Sequence, residues 1–184
     1  SSAASDVYKR QVYNSTLSAA QLLVDSHITV SLNQVMPGVF LSTIAAATGG
    51  FVINGQCSND QSGFSVANAG DVNGDGLADL IVGAYNSAPT AGAAAGRSYV
   101  VFGQSGTTAI NLSALAWGSG GFIINGQAPG DQSGGSVSAA GDINGDGLAD
   151  LLVGSHKATA AGVLQAGKTY VVFGKATMEA VNLS

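Results

Sequence analysis

The sequence predicts an all-β fold in which two equivalent segments each form a four-stranded antiparallel sheet. The chain repeats itself: residues 49–113 align with residues 120–184 without a gap, at an offset of 71 residues, and more than half of the aligned positions are identical. Composition agrees, because 27 of the 184 residues are glycine and only 9% are charged, a balance typical of short strands joined by tight turns. A long fixed period is typical of repeated units that pack against their neighbours.

Four short apolar runs, separated by glycine-rich turns, predict the strands of each copy. In the second copy these runs are residues 122–125, 136–140, 150–154 and 169–173. Each run is too short for a helix and is rich in the β-branched and aromatic residues that strands favour. Four strands in one copy therefore predict one antiparallel sheet per copy.

Each copy contains one acidic loop, residues 71–79 in the first copy and residues 142–150 in the second. Oxygen-bearing side chains occupy loop positions 1, 3, 5 and 9, glycine occupies position 6, and position 7 can add its backbone carbonyl. All-oxygen ligation with several carboxylates suits calcium, since magnesium usually keeps more of its waters. The predicted ligands of two calcium ions are Asp71, Asn73, Asp75, Leu77 and Asp79 in the first loop, and Asp142, Asn144, Asp146, Leu148 and Asp150 in the second.

Other loops begin with a similar pattern. Asp-Gly and Asn-Gly pairs also form turns that bind nothing, but here the same ligand spacing occurs twice, in register with the rest of the repeat. An EF-hand needs a glutamate at position 12 and flanking helices, whereas this chain has Val82 and Val153 at that position. A dockerin needs a further aspartate there and a helix, but residues 80–84 are strand-like.

The motifs of both copies resemble the FG-GAP repeat. The resemblance covers about residues 50–184 and rests on Ser65-Val66 and on residues 70–76, 79–84 and 99–103, with their equivalents in the second copy. It implies blades of a seven-bladed β-propeller, as in the heads of integrin α chains and in many bacterial surface proteins. It also implies that each acidic loop is a calcium-binding hairpin between the first two strands of a blade. The proline that the family has after Gly-Ala is replaced by Tyr85 and His156, which affects a turn and not the metal site.

The repeat and this resemblance divide the chain into four segments. They are an unassigned N-terminal segment (1–27), the tail of a preceding blade (28–62), a first blade (63–126) and a second blade that lacks its outer strand (127–184). Residues 5–11 resemble a translated sequencing adaptor, so we interpret residues 1–11 as non-native. Both ends cut through the period, which predicts a window on a longer array.

Composition argues against several classes of function. There are only six Lys and Arg residues and the net charge is −5, so no basic face is expected and nucleic-acid binding is disfavoured. The sequence has no apolar run long enough for a membrane span. Residues 162–169 match the P-loop pattern, but a P-loop needs a helix after its Lys-Thr pair, and here a strand is predicted. His27 and His156 have no catalytic partner at a recognisable spacing, so no catalytic residue is predicted.

We therefore predict a calcium-binding, non-enzymatic β-propeller module that binds or adheres outside the cell or at its surface. Its expected partners are a protein or carbohydrate ligand and further blades of the same chain. Two alternatives are an ancillary domain of a secreted enzyme, such as a polysaccharide lyase or phospholipase, and a lectin with sugar pockets between blades. Repeated exposed Trp or Tyr residues would favour the lectin, whereas Trp117 is a single residue that we expect to pack between blades.

Overall fold

The computed structural model describes residues 40–184 of the chain. Strands dominate this part, which confirms the all-β class. The elements are α1 (Leu41–Ala45), β1 (Ile53–Asn54), β2 (Ser65–Gly70), β3 (Asp79–Ala84), β4 (Arg97–Val101), β5 (Ile110–Asn111), α2 (Leu112–Leu115), β6 (Gly121–Asn125), β7 (Ser133–Gly141), β8 (Asp150–Ser155), β9 (Lys168–Val172) and β10 (Val181–Asn182). The predicted segment 1–27 and residues 28–39 of the predicted tail lie outside the described residues.

The first sheet consists of β2, β3, β4 and β6, with β10 added at its outer edge. The first four strands are antiparallel neighbours in that order, and β10 runs parallel to β6. Hairpins join β2 to β3 and β3 to β4, whereas β5 and α2 separate β4 from β6. The result is one twisted four-stranded meander of the kind that forms a propeller blade.

The second sheet consists of β7, β8 and β9, which pair antiparallel in that order. Within the described residues, no fourth strand joins β9. The run 122–125, predicted as a strand of the second copy, forms β6 and pairs with β4 of the first sheet, so the prediction of a four-stranded sheet within the second copy was wrong. β9 begins at Lys168, so the segment that matches the P-loop pattern enters a strand, as the sequence predicted. Among residues 40–184, no helix is long and apolar enough to span a membrane.

The period of the sequence is visible in the pairing of the short strands. β1 pairs in parallel with β5, through Ile53 and Ile110, and β6 pairs in parallel with β10, through Ile124 and Val181. The two pairs are related by the 71-residue offset. In both pairs an asparagine amide donates across the strands, at 2.9 Å from Asn54 to Asn111 and at 3.0 Å from Asn125 to Asn182.

The two sheets share one apolar core. Ile81 and Val100 of the first sheet lie in the same buried cluster as Leu151 and Val153 of the second. Successive side chains of a strand point to opposite faces of its sheet. Ile81 therefore points to the second sheet, while its neighbour Val82 points to the opposite face of the first sheet. The two sheets therefore pack face to face, as neighbouring units of a repeat do.

A second buried cluster covers the opposite face of the first sheet. Leu112 and Leu115 of α2 pack there against Tyr99 and Ile123. Trp117 follows this helix and is 88% exposed, so the prediction that it packs between blades was wrong. The turn that ends α2, in which the Trp117 N–H donates to the Ala114 carbonyl at 3.0 Å, leaves the indole on the surface.

Candidate metal centres

Both acidic loops are tips of β-hairpins. The first loop joins β2 to β3, and the second joins β7 to β8. Each loop turns at two glycines with positive φ, +78° at Gly74 and +85° at Gly76, then +76° at Gly145 and +90° at Gly147. Side-chain-bearing residues avoid this backbone region, so the glycines allow a tight turn inside each carboxylate-rich segment.

The carboxylate at position 1 lies at the centre of each loop. Asp71 accepts hydrogen bonds from the backbone N–H groups of Gly74 at 2.7 Å, Asp75 at 3.1 Å and Gly76 at 2.9 Å. The second loop repeats this, with Gly145, Asp146 and Gly147 donating to Asp142 at 2.7, 3.1 and 2.9 Å. The chain therefore folds around this carboxylate through its own backbone donors.

Positions 3 and 5 lie side by side at the exposed tip. The Asn73 carbonyl oxygen accepts the Asp75 N–H at 2.9 Å, and the Asn73 amide donates to the Asp75 carboxylate at 2.8 Å. The other Asp75 oxygen accepts the Leu77 N–H at 2.8 Å. Asn144, Asp146 and Leu148 form the same three bonds in the second loop, at 2.8 to 2.9 Å.

The carboxylate at position 9 is buried and ties the loop to the end of the third strand. Asp79 accepts the N–H groups of Val72 and Gly103, both at 2.8 Å. Asp150 accepts those of Ile143 at 2.8 Å and Gly174 at 2.9 Å. Gly103 and Gly174 were missed as part of the site, although both end the recurring segment Tyr-Val-Val-Phe-Gly, which carried a usable signal.

The two buried aspartates have opposite pKa shifts. Burial raises the pKa of Asp79, and repulsion from Asp75 and Asp71 adds to the rise, while the N–H donors of Gly103 and Val72 oppose it. Burial also acts to raise the pKa of Asp150, but its backbone donors outweigh that effect and the pKa is lowered. The environments differ because the second sheet packs over the first loop and nothing among residues 40–184 packs over the second in the same way.

The loops also contact each other. The Ala149 N–H donates to the Asp71 carbonyl at 2.9 Å, and a Cβ placed at Gly70 would lie 2.6 Å from the Ala149 Cβ. Val72 is completely buried in the first loop, whereas its equivalent Ile143 is exposed. The first loop is thus held from two sides, by its own sheet and by the next one.

The donor chemistry of each loop fits a hard cation. Carboxylate, amide and backbone carbonyl oxygens are the donors that calcium prefers. In the first loop, Asp71 and Asp75 lie close enough to Asp79 for their charges to interact with it. The Leu77 side chain has no donor atom, so only its backbone carbonyl is suited to ligation. Among residues 40–184, however, no three His, Cys, Asp or Glu side chains converge as a metal site. The carboxylates accept backbone N–H groups here, and the ligand assignment stays a prediction.

Comparison with known families matches both halves of the repeat. The FG-GAP repeat model matches residues 62–101 and residues 133–172. The first match contains β2, β3 and β4 and the second contains β7, β8 and β9, so each match includes one acidic loop. No curated protein matches the sequence.

Proposed function

Because this chain is an FG-GAP repeat protein, with one repeat in each sheet, we propose that it is a calcium-binding, non-enzymatic β-propeller module. It acts in binding or adhesion, outside the cell or at its surface. Its two blade-like sheets provide a rigid support, and calcium stabilises one rim of that support. The ligand is a protein or a carbohydrate.

One observation carries this proposal: the same oxygen-rich hairpin is built twice, with equivalent hydrogen bonds in each copy. The side-chain contacts of Asp71, Asn73 and Asp75 recur at Asp142, Asn144 and Asp146 within 0.1 Å. A loop that served only as a turn would not need three carboxylates in nine residues, because these charges repel each other. The recurrence of the whole set supports a common ligand.

The proposed ligands are the side chains at positions 1, 3, 5 and 9 and the carbonyl at position 7 of each loop. A bound calcium ion supplies positive charge that relieves the repulsion among the carboxylates, including the repulsion from Asp75 and Asp71 that adds to the larger effect of burial on the pKa of Asp79. Asp71 is already held by three backbone donors, so its carboxylate is restrained before an ion arrives. Ion binding and loop stability are therefore linked.

The family supports the proposed location outside the cell or at its surface, and the net charge limits the possible partners. FG-GAP repeats are typical of extracellular and cell-surface proteins, where calcium sites of modest affinity are occupied. The net charge of −5 disfavours polyanionic partners such as nucleic acids. The exposed Trp117 does not favour the lectin alternative, because its repeat equivalent is Ala46 and no series of aromatic residues results.

Thermal unfolding tests the proposal. We expect calcium to raise the melting temperature relative to a chelator, because an ion that binds only the folded state stabilises it. Magnesium at the same concentration should have a smaller effect, since it demands a stricter geometry. A melting temperature that is the same in calcium and in chelator would contradict the proposal.

A further inference from the structure

Each copy of the repeat ends with the tripeptide Asn-Leu-Ser, at residues 111–113 and 182–184. Asn-x-Ser, where x is not proline, is a sequence to which N-linked glycans are attached in secreted proteins. The tripeptide begins at the last residue of β5 in the first copy and of β10 in the second. It lies outside both acidic loops, so its chemistry is separate from that of the proposed calcium sites.

The structure presents the first tripeptide at the surface. Asn111 and Ser113 are exposed, whereas Leu112 between them is completely buried against the first sheet. Asn111 has an extended backbone, with φ −99° and ψ 120°. The Ile110 N–H before it donates to the Val52 carbonyl at 2.8 Å. The buried leucine and this bond hold the segment in place, while the asparagine and serine side chains face solvent.

One contact orients the side-chain amide of Asn111. The Asn54 Nδ2 donates to the Asn111 Oδ1 at 2.9 Å, so this oxygen faces the neighbouring strand. Among residues 40–184, the Asn111 Nδ2 itself donates no hydrogen bond. The same arrangement recurs between Asn125 and Asn182, at 3.0 Å. A glycan is attached to the amide nitrogen, which is the atom that the contact leaves free.

The fold accounts for the asparagine and the leucine of this tripeptide but not for the serine. Asn111 accepts the bond from Asn54, and Leu112 fills the cluster on the sheet. Ser113 is exposed, and no described residue forms a hydrogen bond with its hydroxyl. Glycan attachment requires serine or threonine at this position. Packing therefore does not explain Ser113, whereas an acceptor sequence does.

The tripeptide lies on an edge strand. Among residues 40–184, β5 pairs only with β1, so one side of β5 has unpaired backbone groups. Such an edge invites pairing with other chains unless something blocks it. A hydrophilic glycan at Asn111 has room at this edge and hinders the approach of another strand.

We propose that Asn111 is an N-glycosylation site, which is occupied when the chain passes through a eukaryotic secretory pathway. The donor is an oligosaccharide joined to a lipid through pyrophosphate. The Asn111 Nδ2 forms a bond to the anomeric carbon of this oligosaccharide, the bond from that carbon to the pyrophosphate oxygen breaks, and the amide proton is released. Nothing is oxidised or reduced. The inference rests on the proposed location outside the cell and is independent of calcium.

Secretion of the whole chain from cultured eukaryotic cells, behind a cleavable signal sequence, tests the site. Two other acceptor sequences begin at Asn14 and Asn182, so Asn14→Gln and Asn182→Gln are made first and define the parent protein. Mass spectrometry before and after treatment with a peptide N-glycosidase gives the readout. We expect the parent to lose the mass of one glycan on treatment.

Variants of the parent separate attachment at Asn111 from other effects. Asn111→Gln and Ser113→Ala should remove the glycan, and Ser113→Thr should keep it, because threonine also carries the required hydroxyl. Asn68→Gln is the matched control and should keep the glycan, since Asn68 is exposed but is followed by Ala-Gly.

A secreted parent protein without a glycan would overturn the inference, and so would a glycan that persists in Asn111→Gln or Ser113→Ala. Melting of the same secreted sample in calcium and in chelator tests the proposed function separately. A protein that calcium stabilises but that carries no glycan would therefore contradict this inference alone.

Discussion

The Asp79 carboxylate accepts the backbone N–H of Gly103 at 2.8 Å, and this bond links the acidic hairpin to the end of β4. The equivalent bond from Gly174 to Asp150 measures 2.9 Å in the second sheet. Asp79 and Asp150 are both completely buried. The aspartate at position 9 of each loop therefore stabilises the fold and is also a proposed calcium ligand. The aspartate at position 5 lies at the exposed loop tip and makes no such bond to the end of a strand.

We predict that Asp79→Ala destabilises the protein even when no calcium is present. The substitution leaves the N–H groups of Val72 and Gly103 without acceptors, and an unpaired buried donor costs about 1–3 kcal/mol. Urea unfolding in chelator should show a loss of about 2 kcal/mol or more in the free energy of unfolding. Asp75→Ala is the control and should lose less than half as much, because its bonds lie at the exposed tip. Equal losses would contradict this division of roles.

The pH dependence of stability should differ between the two buried aspartates. The pKa of Asp150 is lowered in the folded protein, so its contribution is present above the usual value of 3.8 and is lost as the pH falls through the folded pKa. The pKa of Asp79 is raised, so its ionisation opposes folding and protonation relieves this effect. In chelator, Asp150→Asn should weaken the acid-induced loss of stability and Asp79→Asn should strengthen it. Shifts of the same sign in both variants would contradict the prediction.

Gly83→Ala should destabilise the contact between the sheets. The added Cβ would lie 2.1 Å from the backbone oxygen of Gly134, and overpacking of this kind costs about 1–3 kcal/mol. Gly154→Ala is the matched control, because its close contact is the hydroxyl of Ser136, a side chain that can rotate. Differential scanning calorimetry should show the larger decrease in melting temperature for Gly83→Ala. The reverse order would argue against the described packing.

Gly76→Ala should lower stability through the backbone alone. Gly76 has a φ of +85° and open space around the added Cβ, so the expected loss is the strain of a left-handed residue, about 1–2 kcal/mol. Gly106→Ala also meets open space, but its φ is not in that region, and it should be close to neutral. Urea unfolding of both variants in chelator makes the comparison. A neutral Gly76→Ala would show that the loop does not need this glycine.

The repeated features of the fold could be predicted from the sequence. The structure has strands where the sequence predicted them, around residues 150–154 and 169–173, and it has the predicted hairpin loop just before residue 150. These features could be predicted because alternating apolar residues and glycine turns are local signals. The bond from Gly103 to Asp79 could not be predicted, since it joins segments 24 residues apart. The pairing of β10 with β6 escaped prediction for the same reason. The position of Trp117 was predicted wrongly because it lies in residues 114–119, between the two aligned copies, where the repeat gives no guide.

Calorimetric titration with calcium tests the central claim most directly. We expect two calcium ions per wild-type chain, one for Asp75→Ala or Asp146→Ala alone, and none for the double variant. Glu179→Ala removes an exposed carboxylate outside both loops and should still bind two. Calcium binding by the double variant that equals binding by the wild type would contradict the assignment of both loops as the metal centres.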